Sequence, residues 1–108
     1  MSTLDARLAE LRRRYAATLP AMVAQARAAL DRVDGEGAAA IEELWHIVHR
    51  IYGTAGSHGL DAVATEARSL EALLTPHRTK NALPAPEAES AREGLDALAV
   101  QADLAART

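Results

Sequence analysis

Chemistry in this chain starts with histidine. Two of its four histidines, His46 and His49, stand three residues apart, close enough to be neighbours on one helix surface. Imidazole titrates at about pH 6.5 in model peptides, so near neutrality much of it carries a free lone pair and is a nucleophile. On a wheel of 100° per residue with Val48 at zero, Leu44, Ile51 and Ala55 fall within about 60°, the side that must face a core. His49 then falls near about 100°, Glu42 near 120°, Gly53 near 140°, His46 near 160° and Gly56 near 80°. Glu42, His46, His49, Gly53 and Gly56 therefore line one flank of a helix, beside its apolar stripe. Trp45 and Tyr52 stand between that line and the core.

The two glycines need a reason. Glycine within a helix costs about 1 kcal/mol relative to alanine, and this chain has 26 alanines to draw on. Omitting side chains at Gly53 and Gly56 clears space beside the imidazole and lets another molecule's surface approach closely. A nucleophilic histidine on a cleared flank suits covalent transfer of a group from a partner. The plainer alternative is a solvated flank histidine on a helix that frays from Gly53 and ends at Gly56.

The elements that must position this flank are helical from end to end. Leu4, Leu8, Leu11 and Tyr15 step by four and three after a weak capping start at Ser2 and Asp5, which predicts a helix over 3–17. Pro20 disfavours helix just before it and suits the first turn of a new one. A second helix follows, carrying Met22, Val23, Ala26, Leu30 and Val33. Asp34-Gly35-Glu36-Gly37 reads as a turn. A third helix opens near Ala38, buries Ile41, Leu44, Val48, Ile51 and Ala55, and ends between Gly56 and Gly59. A fourth carries Leu60, Val63, Ala67, Leu70 and Leu74. Thr75 to Pro86 reads as a loop with a basic patch of His77, Arg78 and Lys80. The last helix starts near Glu87, with Ala88, Ala91, Leu95, Leu98, Ala102 and Ala105 on one face. The expected architecture is all-α: an antiparallel up-down-up-down four-helix bundle with a short extra N-terminal helix packed across one end. All 108 residues are expected to form a single domain.

Composition excludes several classes. The net charge of −3 gives no basic footprint for nucleic acid or anionic lipid. With no cysteine there is neither a disulfide framework nor a thiolate zinc site. Apolar runs fall short of a membrane span, and the first residues lack the apolar segment of a signal peptide, so a cytoplasmic location is expected. Glu43-Leu44-Trp45-His46 is one Glu-x-x-His, whereas di-iron bundles need two with further carboxylates. No metal site is expected. Gly53, Gly56 and Gly59 do not have phosphate-loop spacing. His58 and His77 read as solvated turn and loop residues, Trp45 as packing, and Arg12-Arg13-Arg14 as a solvated face.

The run His49-Arg50-Ile51-Tyr52-Gly53-Thr54-Ala55-Gly56, followed by Gly59-Leu60 and Glu66-Ala67-Arg68-Ser69-Leu70-Glu71, resembles the signature of histidine-containing phosphotransfer (HPt) domains. It is also similar to the N-terminal phosphotransfer domain of chemotaxis kinases. The match is strongest over about residues 41–74, and the helices on either side agree with the family's bundle. The resemblance implies that His49 is a phosphoacceptor, charged at Nε2 by a receiver aspartyl phosphate or a histidine kinase and discharged to a receiver aspartate. It implies a phosphoryl carrier in a two-component phosphorelay rather than an enzyme with a full active site. The protein itself would need no cofactor, Mg²⁺ belonging to the partner receiver domain, and a monomer would suffice. Glu42, His46, Arg50, Tyr52, Gly53 and Gly56 would support the acceptor or meet the partner. One departure stands out: the family usually has Lys where this chain has Tyr52. His46 or the Tyr52 hydroxyl can donate in its place, whereas Arg50 points about 100° further round the helix. A non-catalytic helical adaptor that binds receivers without phosphorylation is the alternative reading.

Overall fold

The computed structural model describes residues 2–108. Helix α1 spans Thr3–Asp31, α2 is a single turn at Val33–Glu36, α3 spans Ala38–Ser57, α4 Asp61–Leu74 and α5 Ala85–Arg107. A 3₁₀ turn at Thr75–His77 follows α4. The α1 helix packs on α3 and α5, and α4 packs on the same two. With short connections between them, the four long helices close an up-down-up-down bundle. Its core is a column of alanine and branched aliphatics, with Leu19, Ile41, Leu44, Val48, Ile51, Leu70, Leu74, Leu95 and Leu98 nearly or wholly sealed from solvent.

The expected break at Pro20 is absent, and with it the separate N-terminal helix: α1 runs straight through Pro20. A proline inside a helix removes one backbone donor and costs about 3 kcal/mol. Pro20 lies on the exposed side, while Leu19, Val23, Ala26 and Leu30 are buried on the other. Burial at about 1.5–3 kcal/mol per large aliphatic outweighs the local cost. Thr18 also donates its hydroxyl to the Tyr15 carbonyl at 2.6 Å beside the irregularity. The first turns do not pack across the bundle either. At 1.5 Å per residue α1 is about 44 Å long against about 30 Å for α3, so its start overhangs. Leu4, Leu8 and Leu11 are consequently 64%, 54% and 50% exposed.

The ends of α3 are set by glycine. Gly37 takes φ 57° before the first turn, and a Cβ there would lie 2.7 Å from the Asn81 carbonyl oxygen. That close approach ties the α4–α5 connection to the start of α3. At the other end Leu60 N–H donates to the Ala55 carbonyl at 2.9 Å and Gly59 N–H to Gly56 at 3.1 Å, a Schellman closure with Gly59 at φ 74°. The α3 helix therefore continues through Gly53 and Gly56 rather than fraying there. The last helix opens at Ala85, with Pro86 in its first turn, where a missing donor costs nothing.

Replacing Pro20 by alanine should stabilise the protein by about 1–3 kcal/mol by restoring a helical hydrogen bond. Thermal unfolding measures it; an unchanged or lower midpoint would show that the surrounding helix depends on the proline.

Candidate functional site

The site gathers on α3 where it meets α4 and the 3₁₀ turn. Trp45 is on the core side of the flank and only 9% exposed. Its indole Nε1 donates to Thr75 Oγ1 at 3.0 Å, and that hydroxyl donates onward to the Glu71 carbonyl at 2.7 Å. The ring plane is thereby fixed. His49, one turn on, stacks against it with centroids 4.6 Å apart and planes 11° from parallel. Its Nδ1 lies 3.1 Å from Glu71 Oε2. A carboxylate can only accept, so the neutral imidazole carries its proton on Nδ1 and its lone pair on Nε2. The His49 side chain is 52% exposed. The arrangement is a nucleophile with fixed ring plane and tautomer, open to solvent.

Arg78 approaches from the α4–α5 connection. Its Cζ lies 3.6 Å from the indole centroid, and its guanidinium grips both oxygens of Glu42, Nε at 3.1 Å and Nη2 at 2.5 Å. The arginine's hydrogen bonds hold the Glu42 carboxyl below the usual carboxylate range, with the His46 charge adding to the effect. Glu42 in turn holds the Arg78 guanidinium above its ordinary value. His46 Nε2 contacts Glu42 Oε1 at 2.9 Å and meets the Trp45 ring edge-on at 5.1 Å.

A model of the Hpt domain family matches residues 10–106. The chain belongs to the Hpt domain family. Hpt domains are histidine phosphotransfer modules that work with receiver domains and kinases in phosphorelays. No curated protein and no solved structure matches the chain.

Within this Hpt domain the expected flank is largely as the wheel placed it. His46 and His49 pack on Trp45, and Glu42 joins them through His46 and Arg78. Gly53 and Gly56 are exposed, and a Cβ at either would meet nothing within 4 Å. Leu8, from the overhanging part of α1, lines a shallow depression with Gly56 and Ser57, adding apolar surface to the cleared strip. Tyr52 is half-buried against the core. Arg50 points elsewhere: it lines a groove with Gln25 and Ala28 of α1, away from His49 and Glu71. Three contacts of the site are not apparent from spacing along α3, namely Glu71, Thr75 and Arg78. Only the positive charge of the 77–80 stretch and the Leu-Glu pair at 70–71 hinted at them.

Two further readings change. His58 caps α3 and stacks on Tyr15, with ring centroids 5.0 Å apart; its carbonyl accepts from Arg12 Nε at 2.7 Å. It is a half-buried joint between α1 and α3 rather than a solvated turn residue, and Arg12 is drawn in with it. Burial raises the Tyr15 phenol above its ordinary range. No group of three or more potential metal ligands occurs among the described residues, and no helix there is long and apolar enough to cross a membrane.

Because nothing packs on Gly53 or Gly56, alanine at either should stabilise the fold by up to about 1 kcal/mol through helix propensity alone. Denaturant unfolding tests this; a loss of stability would mean that the glycines serve the helix itself.

Proposed function

We propose that His49 accepts a phosphoryl group at Nε2 and passes it to a receiver aspartate. The observation that carries the reading is the Glu71 contact at Nδ1, on an imidazole whose plane is set by Trp45 and whose side chain is half open to solvent. Charging begins with the Nε2 lone pair attacking phosphorus of a receiver's aspartyl phosphate or of a kinase's phosphohistidine. The Nε2–P bond forms as the P–O or P–N bond to the donor breaks, and the donor group leaves with the bonding pair. The Nδ1 proton stays in place, and the positive charge that develops on the ring lies against the Glu71 carboxylate, a charge-assisted hydrogen bond. Discharge is the same step in reverse, onto the carboxylate of a second receiver. Mg²⁺ and the acidic cluster for these steps would be the receiver's. This chain contributes a positioned nucleophile on a rigid helix, working as a carrier in a cytoplasmic phosphorelay.

The partner would land on the strip from Glu42 to Gly56, with Gly53 and Gly56 admitting its backbone or side chains and Leu8 extending the contact. Phosphoramidate tests the chemistry without a partner. The wild type should acquire an acid-labile, alkali-stable label, while His49→Gln folds and stays unlabelled. Label retained in His49→Gln would overturn the assignment, and a folded wild type that never labels would favour the adaptor reading.

Gly53→Leu separates docking from chemistry. It should keep its helix and its phosphoramidate labelling, yet exchange with a phosphorylated receiver at least about tenfold more slowly, because a contact misplaced by an ångström or so costs transfer steeply. Unchanged receiver exchange would reject the clearance argument.

A further inference from the structure

Resting on the proposal that His49 carries the phosphoryl group, we propose that Arg78 is the cation that binds that group and that Glu42 is the counter-ion it leaves to do so. The family's usual basic residue is replaced by Tyr52, so a dianion built on His49 needs its positive partner from elsewhere. Arg78 and His49 pack on opposite faces of the same indole: the guanidinium carbon lies 3.6 Å from the Trp45 ring centroid on the Glu42 side and the imidazole centroid 4.6 Å from it on the other, so only the thickness and edge of one ring separate them. The alternatives are no freer than Arg78, and none of them lies over the Trp45 face. Arg50 lines the groove on the α1 side, and Arg32 is paired with Glu36 and Glu43. His46 is engaged by Glu42.

The backbone that presents Arg78 is fixed. Thr75, three residues before it, is bonded to Trp45 and to Glu71. Asn81, three residues after it, lies against Gly37, where a Cβ would meet its carbonyl at 2.7 Å, and Leu83 is buried in the core. The side chain is less constrained: it is 33% exposed, and its Glu42 partner 37%. A long side chain on a fixed backbone can therefore leave the indole face and pass the ring edge, giving up a weak cation–π contact for a stronger anion.

The charges favour that movement once His49 is loaded. At rest Arg78 faces one bidentate carboxylate, Glu42, with the Glu71 charge acting at longer range. Phosphorylation adds a group carrying up to two negative charges and three acceptor oxygens, to which a guanidinium fork binds at two points. Glu42 is not abandoned by the exchange, since His46 Nε2 already lies 2.9 Å from its Oε1. The covalent step is unchanged: the Nε2–P bond forms and the donor leaves with its electron pair, and Arg78 shifts as an ion without giving up a proton. Because the guanidinium binds the loaded state alone, it should prolong the phosphohistidine and shift exchange with a receiver toward this protein.

The test charges wild type, Arg78→Ala, Arg78→Lys and Glu42→Gln with phosphoramidate, then follows loss of label and the exchange equilibrium with one receiver. Circular dichroism monitors the fold. Arg78→Ala should lower occupancy at exchange equilibrium by roughly tenfold or more, the size of a hydrogen bond to a charged group. Arg78→Lys should recover part of it, keeping the charge but losing the fork. Glu42→Gln, which frees the guanidinium, should move occupancy the opposite way. In the wild type the Arg78 Nε–H resonance should shift on phosphorylation, a readout that a purely structural arginine would not give. Equal occupancy and lifetime in Arg78→Ala and wild type, with His49 still labelled, would overturn the inference and leave the acceptor assignment standing. A folded wild type that takes no label would overturn both.

Discussion

The site depends on how one indole is held. Trp45 is nearly buried between α3 and the 3₁₀ turn, with its single donor satisfied by Thr75, so the ring has one orientation. Everything chemical is arranged on that plane. The imidazole lies parallel to it, the guanidinium sits over its face, and His46 meets its edge. Stacking of this kind contributes about 0.5–1.5 kcal/mol beyond area burial, and a cation over an indole about as much again. Those are modest energies for stability. They suffice to narrow the rotamers of two long polar side chains that would otherwise be free on an exposed helix flank.

Helix α3 carries two faces with opposite demands. Its core face is filled to closure by Ile41, Leu44, Val48, Ile51 and Ala55. Its flank is emptied at Gly53 and Gly56, where a side chain would meet only open space. In a chain so rich in alanine, that emptiness has a helix-propensity cost with no compensating contact inside the protein. The cost is absorbed by the core face and by the closure at Gly59, which ends the helix cleanly one turn beyond the cleared strip. A flank that is expensive for folding and open to approach is what a transient partner needs.

The sequence was informative wherever one periodicity decided the outcome. The apolar stripes of α3, α4 and α5, the glycine end of α3 and the line from Glu42 to Gly56 all follow from 100° per residue. It misled at Pro20, where local backbone chemistry argued for a break and the burial of Leu19 and Val23 on the opposite side overruled it. It misled again at Leu4, Leu8 and Leu11, because a regular stripe does not reveal that the neighbouring helices stop short. The contacts of Glu71 and Arg78 were hidden for another reason. Each reaches α3 across a helix–helix or loop–helix contact more than twenty residues distant in the chain, and no periodicity within α3 encodes it. Arg78 could be seen only as one charge in a basic loop; its place over Trp45 depends on Gly37 and Asn81 meeting at the far end of the bundle.

Two charges at this site would set the rate and the occupancy of a carrier. Ring charge develops on the imidazole whenever the Nε2–P bond is being made or broken, whichever way the group is moving. On the proposed mechanism a carboxylate at Nδ1 therefore lowers the barrier to loading, as a preorganised counter-charge should, and also stabilises the loaded ring, which holds the full charge while Nδ1 keeps its proton. A cation on the phosphoryl oxygens acts on the group itself, and has its full partner only while the group is on His49. It changes how long the protein stays loaded and how far exchange with a receiver proceeds. On the reading proposed above, a chain with Tyr52 at the usual basic position would give that second function to a side chain already held by Glu42. Its resting partner would then have to be displaced each time the group arrived, so the strength of the Glu42 pair, and not the presence of a cation alone, would set the balance between holding the phosphoryl group and passing it on.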